Sequence, residues 1–419
     1  MADALPEIRC RVPGPHSRAL TDRLAGVECP EVTCLTQPTV FWERATGSNV
    51  IDVDGNRYVD LVAGFGVAAL GYAHPELSAV AAEQAATLPH AMGDVHPARV
   101  KVELLERLRG VLPNGLDSTL LSSSGSDAVE SALKTALVVN GRPDVLAFEG
   151  AYHGLGLGAL DVTHAERFRR PFLARLPSRT HFVPYGDDAA ARRLATLVPL
   201  GAILVEPIQG RGGIRVPPDG FLTALREIAD QTGALLIADE VYTGLCRTGP
   251  WLACEHESVV PDLVTLGKGL GAGFPISACV GRSEIMSCWE PSRGDAIHTS
   301  THLGNPLGCA LGLRVLEILE RERIHERVAG LGAHLRDRLE SEVRKRPGVR
   351  DVRGRGLMHG IELEDPKRAA AIVHEALRRG WILLADGPRA SVLTLTPPLT
   401  IAEPVLDAAV DLLLELLDG

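Results

Sequence analysis

The 419 residues are 45% hydrophobic and 23% charged, the balance of an ordinary globular chain with room for two or three domains. A formal net charge of −10 argues against nucleic acid or an anionic membrane surface as a partner, and no apolar stretch is long enough to span a bilayer. The eight cysteines include no C-x-x-C pair and no metal-ligand spacing, and the start, MADALPEIRC, lacks a basic region followed by an apolar run. A reduced, cytoplasmic protein with mostly buried thiols and no metal site is therefore expected.

Residues 1 to about 35 hold Pro13, Pro15 and Pro30 and read as an irregular arm with one short helix at Ser17–Val27. In NVIDVDGNRYVDL, apolar residues flank Asp54-Gly55, a hairpin signal. A glycine-rich connection follows, with Gly64, Phe65, Gly66 and Gly71, and PELSAVAAEQAATL resumes helical spacing. From Thr119 strands and helices alternate: STLLSSS, DAVESALKTALVVN, DVLAFEG, AILVEPI, FLTALREIADQTG and ALLIADE. This rhythm predicts an α/β fold whose large domain holds a mostly parallel sheet. Past Asn305-Pro306 a long amphipathic stretch leads to VRDVRGRGLMHGIEL, a helix at Pro366–Arg379, and a final strand and helix, which together predict a smaller α+β domain. The expected division is an arm and hairpin over 1–60 that form part of the small domain, a large domain over 61–310 and a small C-terminal domain over 311–419.

The chemistry centres on two strand ends. ALLIAD ends on Asp239, and Lys268 follows 29 residues later in VTLGKGLGAGFPIS, enough for strand, excursion and second strand. Ligands of such sheets sit outside the carboxyl ends of the strands, and the glycines around Lys268 leave room for a bulky group. A solvated turn is one reading of a lysine among glycines. A nucleotide phosphate loop is excluded, because Asp262 and Gly269 stand where it needs Gly and Ser or Thr. A Schiff-base lysine with an aspartate for a pyridinium nitrogen is the working pair of a pyridoxal-phosphate enzyme. Gly125 and Ser126 open a helix after a strand, either an ordinary N-cap or a phosphate site. Tyr152, after another strand, could lie on a planar ring or simply at a sheet edge, and Glu206 ends AILVEP beside Asp239.

The chain resembles the class III aminotransferases of fold-type I over about residues 40 to 400. The motifs in order are IDVDGNRYVD, GYAHP, SSGSDAVESALK, AYHG, VEPIQG, IADEVYTGLCRTG, TLGKGLGAGFPIS, STHLGNPLG, VRGRGL and TPPL. The resemblance implies pyridoxal 5'-phosphate as cofactor, with Lys268 holding it and moving the proton and Asp239 keeping its ring nitrogen protonated. It implies that Val241 and Tyr152 pack on the ring faces, that Gly125 and Ser126 cradle the phosphate, and that Tyr242 stands near the ring hydroxyl. Glu206 joins this cofactor-binding set. Thr301 is implied to reach the phosphate of a partner subunit, so a homodimer with shared sites is expected. Arg211 and Phe65 are the candidate substrate contacts.

The departures concern substrate. Members acting on acetylornithine, ornithine or 4-aminobutyrate carry an arginine after the F/Y-H-G element, where this chain has Leu155. Ornithine-type members pair a second arginine with a glutamate, and here Thr394 and Arg211 hold those places. The resulting expectation is an aminotransferase between an amino donor and an aldehyde or ketone, acting on an ω-amine, amino acid or amino sugar. A racemase or epimerase of the same fold is the alternative, and a catalytically silent binding protein is a third reading that the intact Lys268 and Asp239 disfavour.

Overall fold

The structure is a computed structural model that describes residues 3–35, 38–294 and 296–419. The chain divides into two compact units, Pro75–Ala329 and Met1–His74 with Gly330–Gly419. The divisions thus fall at 74/75 and 329/330, where the sequence suggested 60/61 and 310/311. The helix Pro306–Arg321 belongs with the larger unit because its arginines bind that unit's acids: Arg314 and Arg321 both reach Glu76, at 3.1 and 2.5 Å. Among the described residues no helix is long and apolar enough to cross a membrane. Of the eight cysteines, Cys246, Cys254, Cys279 and Cys309 are buried while Cys29, Cys34 and Cys288 are exposed, so the expectation of mostly buried thiols holds for only half of them.

The larger unit is built on seven strands, β1 (Ser118–Ser122), β2 (Val145–Phe148), β3 (Thr180–Val183), β4 (Ala202–Val205), β5 (Leu235–Asp239), β6 (Leu263–Leu266) and β7 (Ser277–Gly281). Their order is β1-β7-β6-β5-β4-β2-β3. All pairs are parallel except those of β7, which runs antiparallel to both β1 and β6. Because β7 is reversed between them, β1 keeps the direction of the rest, and six carboxyl ends share one edge. Strands β4, β5 and β6 are buried along their whole length, as continuous apolar runs require when helices cover both faces.

The flanking helices follow from spacing and caps. Phe221–Thr232 buries Phe221, Leu222, Leu225, Ile228 and Ala229 on one stripe and stops at Gly233, whose φ of 71° suits glycine. Gly125–Asn140 begins at Ser124, whose hydroxyl accepts from the Asp127 amide at 3.2 Å. Under it Val129, Ala132, Ala136, Ala147, Leu204, Ile237 and Cys279 form part of one core cluster.

In the second unit the expected hairpin is present: Asn49–Asp52 pairs with Arg57–Asp60, and Gly55 takes φ 85° in the turn. The Asp52 carboxylate stabilises that turn by accepting from the amides of Asp54 and Asn56 and from the Tyr58 hydroxyl, each within 2.9 Å. A second sheet, Val349–Arg355, Met358–Leu363, Val392–Leu395 and Leu384–Asp386, is antiparallel throughout. Phe65 sits on a left-handed turn, Ala63–Gly66, where four consecutive residues have positive φ. L-residues resist that conformation by about 1–2 kcal/mol each. The Asp60 carboxylate holds the turn by accepting from the Val62 and Gly64 amides, both 2.8 Å, and from the Tyr72 hydroxyl at 2.6 Å.

Candidate active site

Five strand ends of the larger unit deliver the chemistry-bearing residues to one edge. Asp239 is the last residue of β5, Lys268 lies just past β6, Glu206 follows β4, Tyr152 follows β2, and Gly125 and Ser126 follow β1. Residues separated by more than a hundred positions are brought together by parallel topology alone.

At the centre Gly125, Val241 and Gly267 pack without spare room. A Cβ on Gly125 would come within 2.8 Å of Val241 Cγ1, and one on Gly267 within 3.2 Å of the same atom. The glycines therefore let the start of the helix and the lysine loop close on Val241. Lys268 itself has φ 37°, a left-handed backbone that a non-glycine residue adopts at a cost of about 1–3 kcal/mol, as is common at functional sites. Its Nζ lies 4.1 Å from the centroid of the Tyr242 ring. The Ser277 hydroxyl donates to the Ser124 carbonyl at 2.6 Å and ties β7 to the helix start.

Asp239 is 5% exposed and fully engaged. Its Oδ1 accepts from the Thr265 hydroxyl and the Val241 amide, both at 3.1 Å, and its Oδ2 accepts from His153 Nδ1 at 2.6 Å. Burial alone would lower the His153 pKa, but the hydrogen bond and charge of Asp239, with the charge of Glu206, outweigh it and raise the value. Glu206 accepts from the Tyr152 amide and the Gly210 amide, each at 3.1 Å, so one carboxylate fixes two loops. Burial pushes its pKa up to about 7 against the pull of His153, and the charge of Asp239 adds to the rise.

The segment after β2 spans the site. Tyr152 is followed by His153, which meets Asp239, and by Gly154, whose added Cβ would stand 2.7 Å from the Ser126 side chain. The Gly156 amide donates to Ser126 Oγ at 3.0 Å. On its outer side Tyr152 meets Phe168 edge-on at 5.7 Å, and the Arg211 guanidinium lies 4.9 Å from its ring centroid.

The structure brings Gly125, Ser126, Tyr152, Glu206, Asp239, Val241, Tyr242, Lys268 and Arg211 into this one network of contacts. Thr301 is exposed, and its hydroxyl makes no hydrogen bond with any described residue. Its turn is held by neighbours, with Thr299 bonded to Asp94 and Asn305 to the Pro89 carbonyl. Phe65 belongs to the second unit and is 58% exposed. Two residues here went unassigned in the sequence. His153 lies inside the AYHG motif, but its bond to an acid 86 positions away leaves no local trace. Thr265, the penultimate residue of β6, becomes legible only once β5 and β6 are paired at Asp239.

These groups fit pyridoxal phosphate. The first amides of a 16-residue helix, at Gly125 and Ser126, precede its first backbone bond, from the Ala128 amide to the Ser124 carbonyl, and suit a phosphate. Asp239 offers a buried acceptor for a ring N–H, and Lys268 an amine for the aldehyde. When bound, the cofactor supplies an electron sink for the carbanion at the reacting carbon. As for metals, His334, Glu403 and Asp407 cluster in the second unit, but Asp407 there already binds His334 at 2.7 Å and Arg338 at 3.2 Å.

Comparison with known proteins agrees with this geometry. The family model for aminotransferase class III matches residues 34–417. The chain is 38% identical to an acetylornithine aminotransferase of Methanosarcina mazei, over 90% of this chain and 91% of that one. It is 37% identical to a 5-aminovalerate aminotransferase of Pseudomonas aeruginosa, over 90% and 93%. An ornithine aminotransferase from Toxoplasma gondii, with pyridoxal phosphate partially occupying its active site, superposes with a TM-score of 0.87 at 30% identity, over 96% and 94% of the chains. These relatives transfer amino groups, which does not favour the racemase alternative. The chain belongs to the class III aminotransferases, enzymes that move amino groups with pyridoxal phosphate.

Proposed function

We propose that Lys268 carries the cofactor and moves the proton at the reacting carbon, while Asp239, backed by His153, holds the ring nitrogen in its protonated form. Gly125 and Ser126 take the phosphate, Val241 and Tyr152 bound the ring, and Tyr242 stands beside the ring hydroxyl. Glu206 acts by clamping the Tyr152 loop and the Gly210 turn. The observation that carries this reading is the buried Asp239–His153 contact of 2.6 Å at the end of β5, beside the strand that leads to Lys268. A buried carboxylate held in place by an imidazole is the partner a pyridinium needs.

The amino group passes in two half-reactions from an amino donor to an aldehyde or ketone, of ω-amine, amino-acid or amino-sugar type. Relatives act on acetylornithine and 5-aminovalerate, as their names state. This chain offers different contacts to a carboxylate. Leu155 is an exposed apolar residue, and Thr394 is 1% exposed with its hydroxyl bonded to Asp386 at 3.1 Å. Charged hydrogen bonds contribute roughly 1.5–3 kcal/mol each, so substrates gripped by two arginines at those places are disfavoured. The protein works in the cytoplasm as a homodimer in which Thr301 reaches the partner's cofactor phosphate and Phe65 lines a substrate path. The exposed Thr301 hydroxyl and the neighbouring exposed Met92, Val95 and Ile297 support an interface there.

Mixed dimers test the shared site. Thr301→Ala in one chain is expected to weaken cofactor retention by about 1–2 kcal/mol in the opposite site. A defect confined to the mutated chain's own site, or a monomer at working concentration, contradicts it.

A further inference from the structure

Arg211 occupies the tip of a rigid turn. Gln209 and Arg215 exchange both backbone bonds at 3.0 Å, and the amides of Gly213 and Ile214 donate to the Gly210 carbonyl at 3.0 and 3.1 Å. Glu206 fixes the same turn from below through the Gly210 amide at 3.1 Å. The turn also abuts the reactive lysine's surroundings. A Cβ on Gly210 would lie 2.4 Å from Tyr242 Cδ1, so the backbone there rests on the Tyr242 ring, and that ring is the one 4.1 Å from Lys268 Nζ. Arg211 is the next residue. One side chain's length therefore separates its backbone from the wall behind the amine.

The side chain is exposed, and its guanidinium stands 4.9 Å from the Tyr152 centroid and 5.8 Å from that of Phe168. It forms no ion pair with any described residue. Stacking on aromatic rings holds a guanidinium in place while leaving its N–H edges for a planar anion. Beneath the same loops lie the acids Asp239 and Glu206, in a chain that carries −10 overall. Leu155, exposed in the same unit, provides no cation there either.

We infer that Arg211 is the specificity-determining residue that receives a substrate carboxylate, so the substrate class includes amino acids or oxo acids whose acid group points along Tyr152 and Phe168. This rests on the aminotransferase reading and deepens it. Arg167 adds a second cation 4.4 Å from the Phe168 centroid and serves as the control for a merely positive rim.

The test uses cofactor-loaded enzyme and glutarate, a dicarboxylate with neither amine nor carbonyl, so binding is read without turnover. Calorimetric titration is expected to give a Kd raised roughly ten- to a hundredfold in Arg211→Ala, the loss of one or two charge-assisted bonds. Arg211→Lys should recover part of it, and neutral glutaramide should bind wild type and variant alike. In parallel, the KM for glutamate should rise in Arg211→Ala with kcat within about threefold, the signature of lost uniform binding. Equal glutarate affinity in wild type and Arg211→Ala overturns the inference, as does an absence of saturable glutarate binding to wild type. An equal loss in Arg167→Ala overturns it in favour of a diffuse positive rim. Loss of the cofactor's absorption band in both Arg211 variants overturns it in favour of a structural role. In each of those outcomes amino transfer by the wild-type enzyme still stands or falls on its own measurement.

Discussion

The inner and outer sides of the Tyr152 loop obey different rules. On the inner side, His153, Asp239 and Glu206 are buried and bonded to each other, to the Thr265 hydroxyl or to backbone amides, and the pKa values of His153 and Glu206 are raised. On the outer side, Tyr152, Phe168, Arg211 and Arg167 meet through rings and guanidinium groups, and among the described residues neither arginine forms an ion pair. On the proposed reading the inner groups meet a cofactor that is the same molecule at every turnover, and such partners can be built into the core. On the same reading the outer groups meet substrates that come and go, and Arg211 and Arg167 are exposed. Shared chemistry thus belongs, on this proposal, to one side of the loop and individual specificity to the other.

Substitutions on the inner side should break the fold as well as the reaction. Asp239→Ala leaves the charge on buried His153 without its counter-ion, and breaking such a pair destabilises by about 3–5 kcal/mol. Urea denaturation should show it. A variant as stable as wild type would mean that His153 is neutral and the contact weak.

Next in size is a pH effect of the same side. Glu206 has a folded pKa of about 7 against an ordinary 4.5, so folding favours its protonated form. The stability this confers is fully present below pH 4.5 and is lost as pH rises to about 7. His153, also raised, adds a loss in the same direction as pH climbs above its usual 6.5. The fall from Glu206 is on the order of 3 kcal/mol. Glu206→Gln should be less stable overall, since its amide cannot accept from both Tyr152 and Gly210, yet should flatten this slope. An unchanged slope assigns the pH dependence elsewhere.

Gly125→Ala lies between the two sides. Its methyl group would push Val241 by several tenths of an ångström from 2.8 Å, so cofactor retention should weaken by about 1–2 kcal/mol, an overpacking cost. Equilibrium dialysis measures it, and undiminished retention would place the cofactor away from Val241. The outer side should be the most tolerant. Arg167→Ala removes one exposed cation–π contact, worth about 0.5–1 kcal/mol, and the denaturation midpoint should barely move. A large loss would mean the rim is structural and would blur the contrast.

Much of the inner side was legible in the sequence. Strands β4 and β5 end on acids after continuous apolar runs, and the glycines around Lys268 mark a crowded backbone, so Asp239, Glu206 and Lys268 could be named from local pattern. The reversed strand β7 was not legible, because SACVG has the same apolar character as a parallel strand. Nor was the left-handed turn at Ala63–Gly66, which depends on Asp60 and Tyr72 closing from outside it. The outer side was hardest. Arg211 could be noted as an unusual residue, but its position over Tyr152 follows from the Gln209–Arg215 turn and the Gly210–Tyr242 contact, neither of which has a spacing signature.

The most direct test of the central claim is to trap the cofactor on the chain. The enzyme loaded with pyridoxal phosphate is reduced with borohydride, digested, and its peptides weighed, with Lys268→Ala treated in parallel. The expected result is one phosphopyridoxyl group on the peptide containing Lys268 and none on the variant, whose turnover falls by several orders of magnitude. Stable label on another lysine, or a Lys268→Ala enzyme that keeps the absorption band and near-normal activity, would contradict the assignment of this strand end as the active site.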